Sequence, residues 1–504
     1  MSPSQPLNPA PGAGAPTTPP VRDLPPPIAM LGVLFDQLTT AETLRQFGLM
    51  IESGRPHYAA TANVDFVVQA LADLELRRIL ADADLVLCDG MPLVWASRFL
   101  GNPLPERVTG SDIVPQLLAE AERRGWRVFF LGGAADSVAR AAANTRLRHP
   151  QIQIVGEYSP PFKPLLEMDH EDILRRIQAA RPHLLLVAFG CPKQEKWIRM
   201  NFERAGVPLS IGVGATIDFL AGAVRRAPRW MQRIGAEWIF RLLQEPRRLF
   251  RRYLVDLVVF SRAVLRQWWE VRAGRRAARS RSAVVTTQSE GPGRAQILEI
   301  VGRLDAAATR RYDELWPQLA AEGGHVLLNL AGVTFLDSTG AGLLVRLRKL
   351  LRERDRMVVL VAPSPPVRRV LTMLRFQDFF PVAPDPAAGF ALVQARQEEI
   401  NVVPTLQPDG LVDQLAWQGD IIAAREEAVW TVTHRQMDCS QARGAEVVIN
   451  LAAVRFIDST GVRVMLRARK EARRRGLVLK FTAPSPAVTN VLRILRLESH
   501  LLNG

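Results

Sequence analysis

Between residues 57 and 213 the chain alternates short apolar runs with longer stretches in which apolar residues recur every three or four positions. The runs HYAATANVDFV, DLVLCDG, RVFFLGG, HLLLVAFG and LSIGVG each end in a polar or glycine-rich loop and lead into a helical pattern. This alternation predicts an α/β domain with a mostly parallel sheet, whose ligands sit beyond the carboxyl ends of the strands. The polar residues at those ends, Thr61, Asn63, Asp65, Asp89, Gly132, Gly133, Lys193, Gln194 and Asp218, are expected to converge on one crevice. Further along, residues 326–380 align without a gap to residues 447–501, a constant offset of 121. Each copy reads strand (VLLNL, VVINL), Asp-Ser-Thr-Gly loop, amphipathic basic helix, strand (MVVLVAP, LVLKFTAP) and second helix, so two small α/β domains follow the first.

Composition sharpens the boundaries. At roughly 150 residues per domain, 504 residues suffice for about three. Residues 1–27 hold ten prolines and no apolar run, which predicts a disordered tail. The remaining divisions are a first domain over 28–245, a basic appendage and linker over 246–282, and the repeat domains over 283–398 and 402–504. Most of the formal charge of +15 lies in one segment: from Arg225 to Arg281 sixteen arginines face four acids, Glu237, Glu245, Asp256 and Glu270. Trp, Phe, Leu and Ile at helical spacing among these arginines predict a helix lying on an anionic surface. Paired Trp268 and Trp269 beside LVDLVVF favour a membrane surface over nucleic acid, although the part after Trp269 also reads as a solvated linker. Asp256 and Arg262 break the best apolar run, so no membrane span is expected. Cys88, Cys191 and Cys439 are odd in number and without CxxC spacing, which predicts neither disulfides nor zinc but a reducing, cytoplasmic setting, and the basic helix would attach the chain peripherally to the inner face of the cell membrane.

Three loops carry candidate chemistry. Asp89 follows a buried strand in LCDGMP and reads either as a helix cap or as a base held at the crevice floor. Gly132 and Gly133 allow close backbone approach before a helix whose free N–H groups suit a phosphate. In GCPKQEKW, Pro192 suits a first helical position and places Lys193, Gln194 and Glu195 in the first turn, where the macrodipole favours an anion. Arg107 in PLPERVTGSD is suited to a diphosphate. Asp82-Ala83-Asp84 matches a DxD metal motif in form, but precedes its strand at the wrong end, so no metal or other cofactor is expected.

Taken together, TANVD, CDGMPLVWASRFLG, LPERVTGSD, VFFLGG, GCPKQEKW and IGVGATIDFLAGAVRRAPRWMQRIGAEWIFRLLQEPRRLFRRYL resemble the WecG/TagA/CpsF glycosyltransferases over nearly all of residues 30–255. The resemblance implies a Rossmann-like domain performing inverting, metal-independent transfer of an N-acetylmannosamine-type sugar from a UDP-sugar to a lipid-diphosphate-linked sugar acceptor. It implies Asp89 as base, Thr61, Arg107 and Gln194 in the pocket, and Asn63, Gly132, Gly133, Lys193, Glu195 and Asp218 near the substrates. Arg241, Arg247, Arg248, Arg251 and Arg252 would belong to an appendage that closes over the site and touches the membrane. Two departures, Cys88 where proline is usual and GVGAT for GVGGA, leave the donor sugar open.

The two C-terminal copies resemble STAS domains of anti-sigma-factor antagonists. Ser338 and Ser459, which read locally as helix N-caps, are by that resemblance phosphorylation candidates for a partner kinase, or mark the docking face for another STAS-binding protein. The rival reading is a non-catalytic scaffold that senses a nucleotide sugar and acts through its STAS pair.

Overall fold

The computed structural model describes residues 24–502 apart from 234, 278–283, 292–294, 306–308, 323, 353, 355 and 399–411. The first unit opens with an antiparallel hairpin of β1 (Ile28–Met30) and β2 (Val33–Phe35), followed by α1 (Thr40–Glu52). Next come β3 (His57–Ala62), α2 (Val64–Ala72), α3 (Leu74–Asp82), β4 (Leu85–Cys88), α4 (Met91–Phe99), α5 (Gly110–Arg124), β5 (Arg127–Gly132) and α6 (Ala135–Arg148). The unit continues through β6 (Gln153–Tyr158), α7 (His170–Ala180), β7 (Leu184–Ala188), α8 (Lys193–Ala205), β8 (Leu209–Gly212) and α9 (Thr216–Leu220). It ends with α10 (Arg229–Arg233), α11 (Glu237–Gln244) and α12 (Pro246–Ala277). Strands β3 to β8 form one parallel sheet in the order β4-β3-β8-β7-β5-β6.

The five apolar runs are the strands, and their side chains alternate between two cores. Tyr58, Ala60, Phe129, Leu131, Leu185 and Val187 enter one. Ala59, Val128, Phe130, Leu184, Leu186, Leu209 and Ile211 enter the other. The register pairs Ala62 with Cys88, Ala60 and Val187 with Gly212, and Gly132 with Ala188, so the carboxyl ends of five strands finish in one row. Helix α12 is a single helix packed on the unit, not a linker: Phe260 and Val264 enter the core, and Asp256 and Gln267 are buried.

The first repeat contains β9 (Val284–Gly291), β10 (Ala295–Leu304), α13 (Thr309–Glu322), β11 (His325–Asn329), β12 (Val333–Leu336), α14 (Ser338–Arg352), β13 (Val358–Val361), α15 (Pro365–Met373), β14 (Val382–Ala383) and α16 (Pro386–Glu398). The second contains β15 (Val412–Ala416), β16 (Gly419–Ile421), α17 (Glu426–Arg443), β17 (Glu446–Asn450), β18 (Val454–Ile457), α18 (Ser459–Arg474), β19 (Leu479–Thr482), α19 (Pro486–Ile494) and α20 (Glu498–Leu502). Strand β10 pairs β11 with its first half and β12 with its second, whereas in the second copy that strand is split into β15 and β16.

Residues 1–23 of the expected tail lie outside the described residues, but its last four do not behave as a tail. The Leu24 carbonyl accepts a hydrogen bond from Arg346 Nη1 at 2.7 Å, and the Pro27 carbonyl lies against Gly342 of α14. The hairpin beyond it is shared. Ile28, Met30, Val33 and Phe35 enter the core of the first unit. Ala29 and Leu34, on the opposite face, join Leu343, Leu344 and Leu347 in the core of the first repeat. Leu34→Ala should therefore weaken the joint between two units, at a cost of about 2–5 kcal/mol for a buried leucine. An unchanged denaturation midpoint in urea would show that the hairpin contributes nothing to the joint.

Candidate active site

Asp89 follows β4 directly, its N–H bonded to the Ala62 carbonyl at 2.9 Å. Its Oδ2 accepts the Gly110 N–H at the start of α5 at 3.3 Å. Burial pushes the carboxyl up to about 6, against the Gly110 hydrogen bond and the positive charges of Arg241 and Arg107. Gly110 leads on to Thr61: a β-carbon on Gly110 would lie 3.1 Å from Thr216 Oγ1 and 3.6 Å from Thr61 Oγ1. Thr61 in turn donates to the Gly212 carbonyl at the end of β8 (3.2 Å).

Gln194 joins the same row from α8. Its Oε1 accepts the N–H groups of Gly190 (3.1 Å) and Gly214 (3.2 Å), tying the loops after β7 and β8 together. Its Nε2 donates to Glu195 Oε1 at 2.7 Å. Both side chains press on Gly212, where a β-carbon would meet them at 2.7 and 2.8 Å. Burial raises the Glu195 carboxyl to about 8, so it is largely neutral at pH 7. Gly132 and Gly133 stand at the end of β5 with φ of +92° and +82°. The Gly133 N–H is bonded to the Ala188 carbonyl (2.9 Å), and Gly132 leaves room for the Phe189 ring, so these glycines serve the junction of β5 and β7.

Four expected residues hold other positions. Asn63 caps α2 by accepting the Phe66 N–H (3.2 Å). The Lys193 ammonium bonds the Lys163 carbonyl at 2.5 Å and lies over the Phe162 and Phe189 rings. Pro192 occupies the cap position of α8 and not the first helical one. Asp218 sits half-buried in the first turn of α9. The DxD-like pair is structural: Asp84 accepts from Tyr58 N–H (2.9 Å) and pairs His57 (3.0 Å). Burial works against ionising Asp82, but Arg352 and Arg348 of α14 hold its carboxyl well below the ordinary range.

The segment after residue 224 supplies groups that the sequence reading passed over. Arg107 pairs with Asp112 (3.2 Å) and with Glu237 of α11 (3.3 Å). Arg226 pairs with the other oxygen of Asp112 (2.5 Å) and faces Glu237 at 3.8 Å. Two arginines and two carboxylates thus form one network, and Arg107 and Glu237 of that network, together with Arg241 lying over the Phe219 ring, act electrostatically on Asp89. Glu237 was counted only as a minority charge in a basic run. Of the other appendage arginines, Arg247, Arg251 and Arg252 are all exposed, and Arg252 also pairs with Asp65 (2.5 Å) and lies 4.0 Å from Asp256. The Arg248 side chain lies outside the described residues.

Ser338 and Ser459 are first helical residues and not caps. The caps are Asp337 and Asp458, each accepting two backbone N–H groups of the following turn. Neither serine faces solvent: Ser338 is 3% exposed and takes a hydrogen bond from Gln267 Nε2 (3.1 Å), and Ser459 is 0% exposed against Glu75. Among the described residues no group of three His, Cys, Asp or Glu side chains is placed to hold a metal ion, and no helix is long and apolar enough to cross a membrane.

A sequence model of the glycosyl transferase WecG/TagA/CpsF family matches residues 28–274, and a STAS-domain model matches 286–388 and 413–502. The chain is 30% identical over 216 residues to an N-acetylglucosaminyldiphosphoundecaprenol N-acetyl-beta-D-mannosaminyltransferase of Bacillus spizizenii, which covers 43% of this chain and 81% of that one. An enzyme of the same name from Staphylococcus aureus is 26% identical over 236 residues, 46% of this chain and 91% of its own. Among solved structures, the unphosphorylated anti-sigma-factor antagonist SpoIIAA is 21% identical and covers 22% of this chain and 98% of its own, with a TM-score of 0.19. The family match begins at the shared hairpin and runs almost to the end of α12, so the hairpin, the sheet and the closing helices are all one family's domain: the chain is a member of the WecG/TagA/CpsF glycosyltransferase family, extended by two STAS domains.

Proposed function

We propose that the chain moves an N-acetylmannosamine-type sugar, with inversion, from a UDP donor to a polyprenyl-diphosphate-linked N-acetylglucosamine acceptor. The activity for which the relatives are named supports the acceptor and the sugar. The observation that carries the reading is Asp89, a carboxylate just past the carboxyl end of β4 that burial pushes up to about 6. A base of that strength can take the acceptor hydroxyl proton as the oxygen attacks the anomeric carbon. The diphosphate leaves from the opposite face, and its charge needs cations: Arg107, with Arg226 and Arg241 nearby, supplies them in a partly dehydrated site. These arginines take the part that a metal ion plays elsewhere, so the transfer is proposed to need none. Glu237 holds Arg107 in the meantime and must give way to the diphosphate. Gln194 fixes the two glycine loops between which the donor would lie. The STAS pair is proposed to regulate or dock this enzyme.

Two tests follow from the chemistry. Asp89→Asn keeps the side-chain shape but cannot take a proton, and should lower UDP release with the lipid-linked acceptor by about 10²- to 10⁴-fold. Turnover like that of the wild type would remove Asp89 from the role. Because the base works unprotonated, kcat/KM of the wild type should fall as pH drops through about 6 and level off above it. A limb near 4 would mean a carboxylate in ordinary water.

The membrane reading rests on an inverted helix. In α12 the buried positions include Asp256 and Gln267, while Phe250, Leu254, Leu257, Val258, Leu265 and Trp269 form an exposed stripe beside exposed Arg247, Arg251, Arg262 and Arg266. Trp268 turns in and stacks on Phe99 (5.4 Å), leaving Trp269 for the surface. Trp95, Trp238 and Leu243 extend the patch towards the crevice. We propose that this face lies on the anionic inner leaflet, where each arginine is worth about 1 kcal/mol and each buried large apolar side chain about 1.5–3 kcal/mol. Leu257→Glu with Trp269→Glu should lower affinity for phosphatidylglycerol vesicles at least roughly tenfold. Unchanged co-sedimentation would place the membrane contact elsewhere.

A further inference from the structure

The second STAS copy is docked on the transferase by a carboxylate. Glu75, at the start of α3 and 5% exposed, takes the Ser459 N–H on Oε1 (2.6 Å) and the Ser459 hydroxyl on Oε2 (2.9 Å). Asp458 occupies the next two N–H groups of the same helix start, so the N-terminus of α18 is satisfied jointly by its own Asp458 and by Glu75 of the other domain. The arrangement is reinforced alongside: Arg78 of α3 lies over the Phe456 ring at 3.6 Å and pairs Asp420 at 3.4 Å, and Leu166 of the first unit packs against the core of the second copy.

Glu75 has a second partner. The buried Lys196 ammonium sits between Glu75 Oε2 (2.8 Å) and Asp73 Oδ2 (2.7 Å). Lys196 belongs to the first turn of α8, immediately after Gln194 and Glu195, the side chains that hold the loops after β7 and β8. One carboxylate therefore bridges the helix start of a STAS domain and the helix start that frames the crevice. The first copy has no such bridge at its serine, since Ser338 meets the neutral amide of Gln267.

We propose that Glu75 makes the second STAS domain an intramolecular clamp on α8, with Lys196 as the positioning residue that transmits docking to Gln194. While the domain is docked, the pair Glu75–Lys196 is held away from water and keeps its geometry. When the domain leaves, both charges are hydrated and the first turn of α8 loses a fixed support. An outside protein that engages the Ser459 face must displace Glu75, so it competes with the active conformation of the enzyme. This rests on reading the crevice as the transfer site and the STAS pair as regulatory.

The test uses the full chain, with hydrogen exchange and kinetics read on the same variants. Ser459→Asp places a third carboxylate between Glu75 and Asp458 and should undock the domain. Ser459→Ala keeps the backbone N–H on Glu75 and loses only the hydroxyl bond, so it should weaken the docking without releasing the domain. For Ser459→Asp, exchange in residues 456–463 should rise at least tenfold while β17 stays protected, and kcat should fall about tenfold or more, as misplacement of a positioning group does. Ser459→Ala, which loses only the hydroxyl bond to Glu75, should lie between the wild type and Ser459→Asp in both. Glu75→Ala attacks the contact from the other side and should reproduce the Asp phenotype even if Ser459→Asp unfolds its own domain. Unchanged exchange in Glu75→Ala overturns the clamp, and raised exchange with unchanged kcat overturns its link to the crevice. Exchange requires no sugar donor, so a wrong substrate assignment would leave that arm intact and show itself as a wild type without turnover.

Discussion

Helix α3 must keep its charges paired, because none of its nine residues is exposed. A buried charge without a partner costs several kcal/mol, so each one here fixes a neighbour. Glu75 at the amino end fixes the second STAS copy and Lys196. Arg77 bonds the Ala70 and Leu71 carbonyls at the end of α2. Arg78 reaches Asp420, and Asp82 at the carboxyl end is gripped by Arg348 and Arg352 of the first copy. This one helix touches both copies, the second at the start of α18 and the first along the later turns of α14, while the polar start of α14 meets Gln267 of α12. The DSTG loops, which in isolation look like surfaces offered to partners, are consequently inside the molecule.

The crevice end of the sheet was legible in the sequence for a simple reason. A parallel sheet is apolar along its length and polar only where its strands stop, so LVLCDG and LLLVAFG announce their own carboxyl ends. Asp89, Thr61 and Gln194 were found that way and do lie in one row. Asn63 and Lys193 share the same signal but are used locally, one as a cap and one against a carbonyl and two aromatic rings. Strand-end position cannot separate the two uses. The edge strand β6 was missed because QIVGEY is largely half-exposed and interrupted by Gly156, which blurs its alternation. Strand β12 was absorbed into the DSTG loop because VTFL is only four residues long.

What stayed hidden was everything decided between domains. The repeat revealed two copies of one fold, and the constant offset carries over to the strands and helices themselves, from β11 against β17 to α15 against α19. It gave no hint that one serine meets an amide and the other a carboxylate. Nor could spacing show that Arg252 points at Asp65, since helical periodicity locates a residue on a face without saying what lies opposite. Charge counting had the same blindness for Glu237: in a run of sixteen arginines a single acid is arithmetically minor, yet it is the group that occupies Arg107.

The hairpin at Ile28–Phe35 imposes an order of events on synthesis. Its inner face is completed by strands and helices of the first unit, but its outer face waits for α14, and the bond from Leu24 to Arg346 spans 322 positions. At roughly 5–20 residues per second the ribosome needs on the order of tens of seconds to bridge that gap. For the last part of that interval, once α12 has been made and α14 has not, the transferase unit stands with Ala29 and Leu34 uncovered, a short apolar edge in a nascent chain that already carries an exposed apolar stripe on α12. Early capture of that stripe by the bilayer would hold the unfinished protein at the membrane while its own covering is still being made.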